Sequence, residues 1–165
     1  MTVTALNDYN ASMAPSWTSL FQNYKTWARV VDVIDGDSII MIFPSFHEIK
    51  RPIKFNTRLA DLDTAEIRDK NHNVRTQAVR ARLRLIELLL QTDNFPSFSS
   101  RADIQKYFET HPTQVWVCCR DLDKYGRVLV EVFTNESEIE SVCINKRILA
   151  EGLAQPYDGG KKPVF

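Results

Sequence analysis

Two groups of carboxylates in this sequence have the spacing to meet at one site. The first group is Asp35 and Asp37 in the stretch IDGDS, and the second is Asp61, Asp63 and Glu66. Both groups border β-branched runs, so we expect them at strand ends. There their oxygens could hold one hard cation, since Ca²⁺ takes carboxylate and carbonyl ligands. Asp-Gly pairs also form ordinary turns, and the IDGDS stretch alone is more typical of a plain turn.

Two arginines change the interpretation of these carboxylates. Arg58 lies on the polar side of a strand-like run, five residues before Asp63, and Arg127 ends the turn-like segment DLDKYGR. A phosphodiester hydrolase needs a metal, a base and a planar cation that can donate two hydrogen bonds to phosphate oxygens, as arginine does. At ~4 Å and an effective dielectric of about 20, one arginine–phosphate contact has a Coulomb energy of about 4 kcal/mol. Only the part of this energy that is gained in the transition state beyond the ground state accelerates a reaction.

A basic stretch follows the second acidic group. Residues 68–84 contain one acid, Asp69, and six basic side chains: Arg68, Lys70, Arg75, Arg80, Arg82 and Arg84. They could hold a phosphate backbone or form the solvated face of a helix, and the pattern leaves this open for the last three. Arg68 and Lys70 follow Glu66 closely and are the better candidates for binding a substrate.

Hydrophobic patterns define the strands that must position these residues. Five β-branched runs predict strands at 27–34, 38–43, 51–60, 114–119 and 127–133. Asp35 and Gly36 between the first two predict a tight hairpin turn. In the third run, Thr57 and Leu59 point to one face and Arg58 points to the other.

Three helices are predicted, at 73–91, 101–109 and 145–151. The first carries a single apolar stripe, formed by Val74, Ala78, Ala81, Leu85 and Leu88. Ser100 and Asp103 resemble a capping box before the second helix. Asn145 is the expected N-cap of the third helix, and Gly152 stands just past its end.

This order of elements predicts an α+β fold that is mainly β. We expect a five-stranded OB-fold barrel, with helices between strands 3 and 4 and at the C-terminal end. Three parts follow: an N-terminal tail or short docking helix (1–26), the barrel domain (27–157) and a C-terminal tail (158–165). We expect the last residues, QPYDGGKKPVF (155–165), to be mobile. The segment 92–113 is either a lid or an inert excursion of the chain, and we favour the second.

Composition excludes several classes of protein. The 165 residues include 21 basic and 21 acidic side chains, so binding of nucleic acid would depend on local positive charge. Cys118, Cys119 and Cys143 favour reduced, buried thiols over a disulfide framework. The histidines lack metal-site spacing. No secretory signal or membrane-spanning run is evident, which predicts an intracellular, cytoplasmic protein without membrane contact.

Four motifs together resemble the staphylococcal nuclease, or thermonuclease-like, family. They are IDGDS (34–38), RLADLDTAE (58–66), DKYGR (123–127) and EGLAQPY (151–157). The resemblance covers about residues 27–157, in order and with compatible spacing. The most specific pieces are an arginine followed five residues later by Asp-Thr-x-Glu, and Asp-Lys-Tyr-Gly-Arg.

The resemblance implies an activity and a set of metal ligands. Asp37 and Asp63 would bind Ca²⁺ through their carboxylates, and Thr64 would bind it through its backbone carbonyl. Glu66 would order or deprotonate the attacking water, and which of the two it does stays open. The implied reaction is calcium-dependent, sugar-nonspecific hydrolysis of DNA and RNA that leaves 3′-phosphate ends.

The resemblance also implies the substrate contacts. Arg58 and Arg127 would grip the scissile phosphate, and Lys124 and Tyr125 would lie near a terminal phosphate. Tyr157 is the candidate for a substrate-contacting tyrosine, although it falls about one residue early. Single-stranded DNA and RNA, or loosened duplex, are therefore the expected partners of a protein that we expect to be a monomer.

Two departures from the family pattern and two other functions have to be weighed. Ser38 replaces a usual Thr, and Ala65 replaces a usual Pro, which frees φ in the loop that carries Glu66.

A non-catalytic module of this family could bind nucleic acid or protein, but it would be expected to have lost a carboxylate or an arginine, and none is missing. A calcium-binding structural domain does not account for the paired arginines.

Overall fold

The strands and helices lie close to their predicted positions. The computed structural model describes residues 20–46, 50–160 and 163–165, so most of the predicted tail, 1–26, lies outside it. The strands are β1 (Lys25–Asp35), β2 (Ser38–Phe43), β3 (Ile53–Leu59), β4 (Leu62–Asp63), β5 (Thr113–Leu122), β6 (Val128–Phe133) and β7 (Gln155–Pro156). The α-helices are α1 (His72–Leu90), α2 (Arg101–Thr110) and α3 (Ile144–Ala150), with a 3₁₀ turn at Glu140–Val142. Among the described residues, none of these helices has the length and apolar character that crossing a membrane requires.

Five of the strands close into one barrel in the order β1-β2-β3-β6-β5. Neighbouring strands run antiparallel except β3 and β6, which run parallel. The short strands β4 and β7 pair with each other outside the barrel. Two helices separate the third and fourth barrel strands, and α3 follows the last. This architecture confirms the predicted α+β, mainly β barrel of OB type.

Strand periodicity places the core inside the barrel. In β2, Ile39, Met41 and Phe43 alternate along the strand and are fully buried. The register between β1 and β2 shifts twice, the second time between Val33 and Asp35, next to the hairpin turn. Such a bulge bends its strand and changes the direction in which the adjoining turn points.

Helix α1 covers one side of the barrel. It begins after Asn71, whose side chain accepts a hydrogen bond from the backbone N–H of Asn73 at 2.9 Å. All five residues of the predicted apolar stripe are buried, and Ile86 and Leu89 join them. The stripe therefore fixes the face of α1 that packs against the barrel.

Helix α2 is also part of the packed structure. The capping box is present: the Ser100 hydroxyl accepts from the Asp103 N–H at 3.2 Å, and the Asp103 carboxylate accepts from the Ser100 N–H at 2.8 Å. Ile104 and Phe108 are fully buried in the main core. The segment 92–113 therefore packs into the core through α2, and its expected inertness toward the site stays a prediction.

Aromatic residues pack around the start of β1. β1 begins at Lys25, two residues before the predicted start, and Phe21 ahead of it is buried. The Phe21 ring stacks on Phe46 with centroids 4.2 Å apart. Trp27 is 37% exposed, because the alternation of β1 turns it outward against Trp116.

The predicted N-cap role of Asn145 is wrong. Helix α3 begins one residue earlier, after Cys143, and Asn145 is buried with 3% exposure. Its side chain accepts from the Val132 N–H at 3.0 Å and donates to the carbonyls of Ala60 and Val130 at 3.1 and 3.0 Å. Asn145 thus connects β6 to the residue that follows β3, while Gly152 lies past the helix end at φ +68° as expected.

We expect Asn145→Ala to lower the free energy of unfolding by about 3 kcal/mol, because it leaves buried backbone groups without partners. Urea denaturation followed by circular dichroism measures this. Asn73→Ala, on the exposed side of α1, is the matched control and should change the value by less than about 0.5 kcal/mol. Equal effects of the two changes would contradict the structural role of Asn145.

Candidate functional site

The β1–β2 hairpin positions Asp37. Asp35 pairs with Ser38, so Gly36 and Asp37 form the turn. The backbone carbonyl of Asp37 accepts from the Leu59 N–H at 2.8 Å, which ties the turn to the end of β3. The Asp37 carboxylate accepts from the Ser38 hydroxyl at 2.8 Å and is 3% exposed. The carboxylate is therefore held in place by the fold itself.

Gly36 allows this turn to lie directly against α1. A Cβ atom at position 36 would lie 2.7 Å from the Ala81 Cβ and 3.1 Å from the Thr64 Cγ2. Both distances are shorter than ordinary carbon contacts. Glycine is required here for close approach, and the same approach brings the segment of Thr64 against the turn that carries Asp37.

Arg58 bridges the two acidic groups. It lies opposite Ser38 in the β2–β3 ladder, which places its guanidinium beside the hairpin turn. Its Nη1 lies 3.0 Å from Asp37 Oδ2, and its Nη2 forms a short contact with Asp63 Oδ1. Nη2 also donates to the Leu62 carbonyl at 3.3 Å. All three charged side chains are at least nine-tenths buried.

Burial and charge act against each other in this cluster. Burial raises the pKa of the Asp37 carboxyl above its ordinary value, and Arg58 and Ser38 offset this only in part. Burial alone would lower the pKa of the Arg58 guanidinium, but Asp37 and Asp63 raise it above its ordinary value. Two buried carboxylates thus share one cation, so a second positive charge beside them would favour their ionised forms.

Asp63 and Thr64 are placed by a sharp change of direction after β3. Asp61 adopts a left-handed conformation at φ +64°, and the chain then enters β4. Asp63 pairs with Gln155 of β7, so residues that we expected to be mobile form part of this scaffold. The Thr64 N–H donates to Asp37 Oδ2 at 3.3 Å, and its buried hydroxyl has no hydrogen-bond partner.

Glu66 lies at the exposed surface of the site, in the loop between β4 and α1. The preceding residue, Ala65, is buried in a small apolar cluster against which Phe165 packs. The following N–H, of Ile67, hydrogen-bonds to the Asp35 carboxylate, whose pKa is nevertheless raised by burial. The loop is therefore held on both sides of Glu66, although Ala65 lacks the ring of a proline.

Arg127 is held by an acid of its own turn. Its Nε and Nη2 both lie 2.7 Å from Asp123 Oδ2, and its backbone N–H donates to Asp123 Oδ1 at 2.9 Å. Partial burial would raise the pKa of Asp123, but hydrogen bonds from Arg127 and Tyr125 lower it below its ordinary value. Gly126, at φ +78°, supplies the left-handed residue that this tight turn needs.

A wider pocket adjoins the two arginines. We call it the aromatic pocket; it measures about 470 Å³, and its walls include Arg58, Lys124, Tyr125, Arg127 and Tyr157. Tyr125 is 72% exposed, with Lys124 Nζ and Arg127 Cζ at 5.2 and 5.5 Å from its ring centroid. Arg58 Cζ lies 5.6 Å from the centroid of Tyr157. Flat ring faces beside cations suit an unstacked base and its phosphate.

Six of the residues singled out in the sequence line one narrow cleft of about 60 Å³: Asp37, Arg58, Asp63, Thr64, Glu66 and Arg127. We call it the carboxylate cleft. Arg68 lines an adjoining pocket, whereas Lys70 lines none of the cavities described around the cleft. Asp123 was not predicted as a site residue, although it is the first residue of the DKYGR motif and lies four residues before Arg127.

The donors in the cleft are hard oxygens. Within residues 20–46, 50–160 and 163–165, no three His, Cys, Asp or Glu side chains gather in an arrangement that could hold a metal ion by themselves. The cleft offers two carboxylates, from Asp37 and Asp63, beside the unpartnered hydroxyl of Thr64. Ca²⁺ also accepts backbone carbonyls and water, so this donor set suits a calcium ion whose remaining ligands come from those sources.

The fold and the cleft together define a small barrel protein with a nuclease-like or nucleic-acid-related site. The profile of the family described as staphylococcal nuclease homologue matches residues 56–163, and the chain belongs to that family. This confirms the resemblance found in the motifs. A search of curated proteins gave no match. The chemical roles of the individual residues stay predictions.

We expect Gly36→Ala to lower the free energy of unfolding by about 1–3 kcal/mol, because the new methyl group collides with Ala81. Ala81→Gly removes the closest atom of that collision. The double variant should therefore lose less stability than the sum of the two single variants, as measured by urea denaturation. Strictly additive losses would show that the turn and α1 do not meet as described.

Proposed function

We propose that this protein is a calcium-dependent, sugar-nonspecific nuclease that hydrolyses phosphodiester bonds of DNA and RNA to leave 3′-phosphate ends. The observation that carries the proposal is the carboxylate cleft. Two buried carboxylates, an exposed glutamate and two arginines from separate elements line the same narrow space. Each part that phosphodiester hydrolysis requires has a candidate there.

In this proposal Asp37, Asp63 and Thr64 hold the calcium ion. When bound, the ion supplies positive charge that polarises the phosphate and stabilises the charge of the transition state. The protein prepares for it by burying two carboxylates beside a single guanidinium, that of Arg58. Burial raises the pKa of Asp37, and the neighbouring charge of Asp63 acts in the same direction, so a bound cation would favour the ionised carboxylate.

The two arginines act on the phosphate. Both guanidinium groups are fixed by carboxylates, Arg58 by Asp37 and Asp63, and Arg127 by Asp123. A donor that is already oriented loses little entropy when an anion arrives, so it can stabilise developing charge without reorganisation. Arg58 and Arg127 line both the cleft and the aromatic pocket, so in this proposal they lie between the reacting phosphate and the adjoining nucleotide.

Glu66 acts on the attacking water. It is the exposed carboxylate of the cleft, whereas Asp37 and Asp63 are buried. A solvent-accessible carboxylate can orient a water molecule and accept its proton as the oxygen–phosphorus bond forms. The bond from phosphorus to the 5′-oxygen then breaks, and that oxygen takes up a proton.

The aromatic pocket accounts for the expected preference for single strands. Tyr125 and Tyr157 present ring faces that a base can reach only when it is not stacked in a duplex. Lys124 beside Tyr125 offers positive charge for a phosphate of the same nucleotide. Paired strands would have to open before they enter.

We expect calcium to stabilise the folded protein through Asp37. At calcium concentrations about 100 times the dissociation constant, the free energy of unfolding should rise by about 2.7 kcal/mol. Thermal unfolding with calcium and with chelator measures this, and Asp37→Asn should remove most of the difference. Asp69→Asn, outside the cleft, is the control and should keep it. No calcium effect on the wild type would contradict the proposed metal site.

We expect Glu66→Gln and Arg127→Ala each to lower the rate of cleavage of denatured DNA in calcium by about 100-fold or more. Neither side chain is fully buried, so thermal unfolding should change little. Glu109→Gln, at the exposed end of α2, is the control and should cleave at the wild-type rate. Wild-type protein that binds DNA without cleaving it would instead favour the non-catalytic module.

A further inference from the structure

A third cavity adjoins the carboxylate cleft. It measures about 420 Å³ and shares Asp35 and Glu66 with the cleft. The aromatic pocket shares a different pair with the cleft, Arg58 and Arg127. The aromatic pocket and the third cavity have no lining residue in common. The cleft therefore lies between two larger spaces, and a chain-like ligand passing through the cleft would enter both.

Three arginines from three different elements line this third cavity, which we call the arginine pocket. Arg68 comes from the loop after Glu66, Arg82 from α1 and Arg101 from the start of α2. Two isoleucines and the carboxylates of Asp35 and Glu66 complete its lining. Because the three cations converge from distant parts of the sequence, the pocket is more than a solvated helix face.

Arg101 is fixed in the pocket wall. Its Nε donates to Asp32 Oδ2 at 2.7 Å, and Gln105 donates to the same oxygen at 2.8 Å. Asp32 is 2% exposed, whereas the Arg101 side chain is 44% exposed. The buried carboxylate therefore anchors the guanidinium, and the exposed part of the side chain stays accessible to a ligand.

Arg82 has unmet capacity to bind an anion. Its Nε is buried and has no hydrogen-bond partner. Burial lowers the pKa of its guanidinium, and the positive charge of Arg101 acts in the same direction, although Asp35 and Asp32 oppose them. An anion between Arg82 and Arg101 would pair the free donor and offset the repulsion between the two cations.

The neighbouring basic residues of α1 lack these features. Arg84 is paired with Glu87 and Glu151 on another side of the helix. Arg80 is exposed and lines a groove with Arg84, apart from the cleft. The basic run of α1 therefore divides into a solvated face and one residue, Arg82, that is directed toward the arginine pocket.

We propose that the arginine pocket binds a backbone phosphate of the same nucleic-acid strand, next to the scissile phosphate and away from the aromatic pocket. The inference rests on the proposed nuclease function. A strand held on both sides of the cleft would be cut at internal bonds, so the substrate is a polynucleotide rather than a terminal nucleotide alone. The segment 92–113, through Arg101, then takes part in binding the substrate.

The test measures binding without cleavage, in Glu66→Gln protein with calcium present. One probe is a labelled single-stranded oligonucleotide of about ten nucleotides, long enough to pass through a site of this kind. The other is a nucleoside 3′,5′-bisphosphate, a single nucleotide unit that we expect to occupy the cleft and the aromatic pocket but not the arginine pocket. The test compares two double variants. One, Arg68→Gln/Arg82→Gln, changes the arginine pocket; the control, Arg80→Gln/Arg147→Gln, removes two exposed arginines outside the three cavities.

We expect the Arg68→Gln/Arg82→Gln double variant to bind the oligonucleotide about tenfold more weakly. Its salt dependence of binding should fall by about one phosphate contact. Its affinity for the bisphosphate, and both affinities of the control pair, should stay unchanged. Arg101→Gln should weaken the oligonucleotide in the same way, and Arg101→Lys should restore part of the loss, with thermal unfolding checked because Asp32 loses its partner.

Equal losses in the two double variants, or an equal loss for both probes, would overturn the inference, as would Glu66→Gln protein without further changes that does not bind the oligonucleotide. Failure of the proposed function is recognised separately. In that case wild-type protein does not cleave in calcium, yet the same binding titration still reports whether the arginine pocket holds a strand.

Discussion

The bridge that Arg58 makes between Asp37 and Asp63 is the interaction on which the rest of the site depends. Three charges are removed from water, and such a cluster is stable only when its geometry and hydrogen bonds offset the free energy lost in dehydration. Arg58 meets both carboxylates, the Ser38 hydroxyl meets one of them, and the Thr64 N–H meets the same one. The fold must therefore hold a hairpin turn, a strand end and the β4 segment in fixed relation.

The packing around the bridge supplies that relation. Gly36 lets the hairpin turn lie against α1 at Ala81, and Asn145 connects β6 to Ala60 at the end of β3. These contacts stabilise the same end of the barrel from two sides. The carboxylates of Asp37 and Asp63 are buried there, whereas Glu66 lies at the exposed surface of the carboxylate cleft.

Features that depend on residues close together in the sequence were predicted from it. The apolar stripe of α1, the Ser100 capping box and the five barrel strands follow from periodicity and capping chemistry, and the motifs identified the residues of the cleft. Asn145 was misjudged because its partners are distant in sequence, and no pattern within a few residues reports them. Arg101 was not considered for the same reason, since its place beside Glu66 depends on how α2 packs on β1.

The buried carboxylate of Asp32 constrains which sequences a relative of this protein can have. It is a charged residue in the middle of a barrel strand, and two residues of α2 satisfy one of its oxygens. A relative that lacked the 92–113 segment could not keep an aspartate there without leaving a buried charge unpaired. The strand residue and the inserted helix must therefore be gained or lost together, and a shorter relative should carry an apolar or small polar residue at that position.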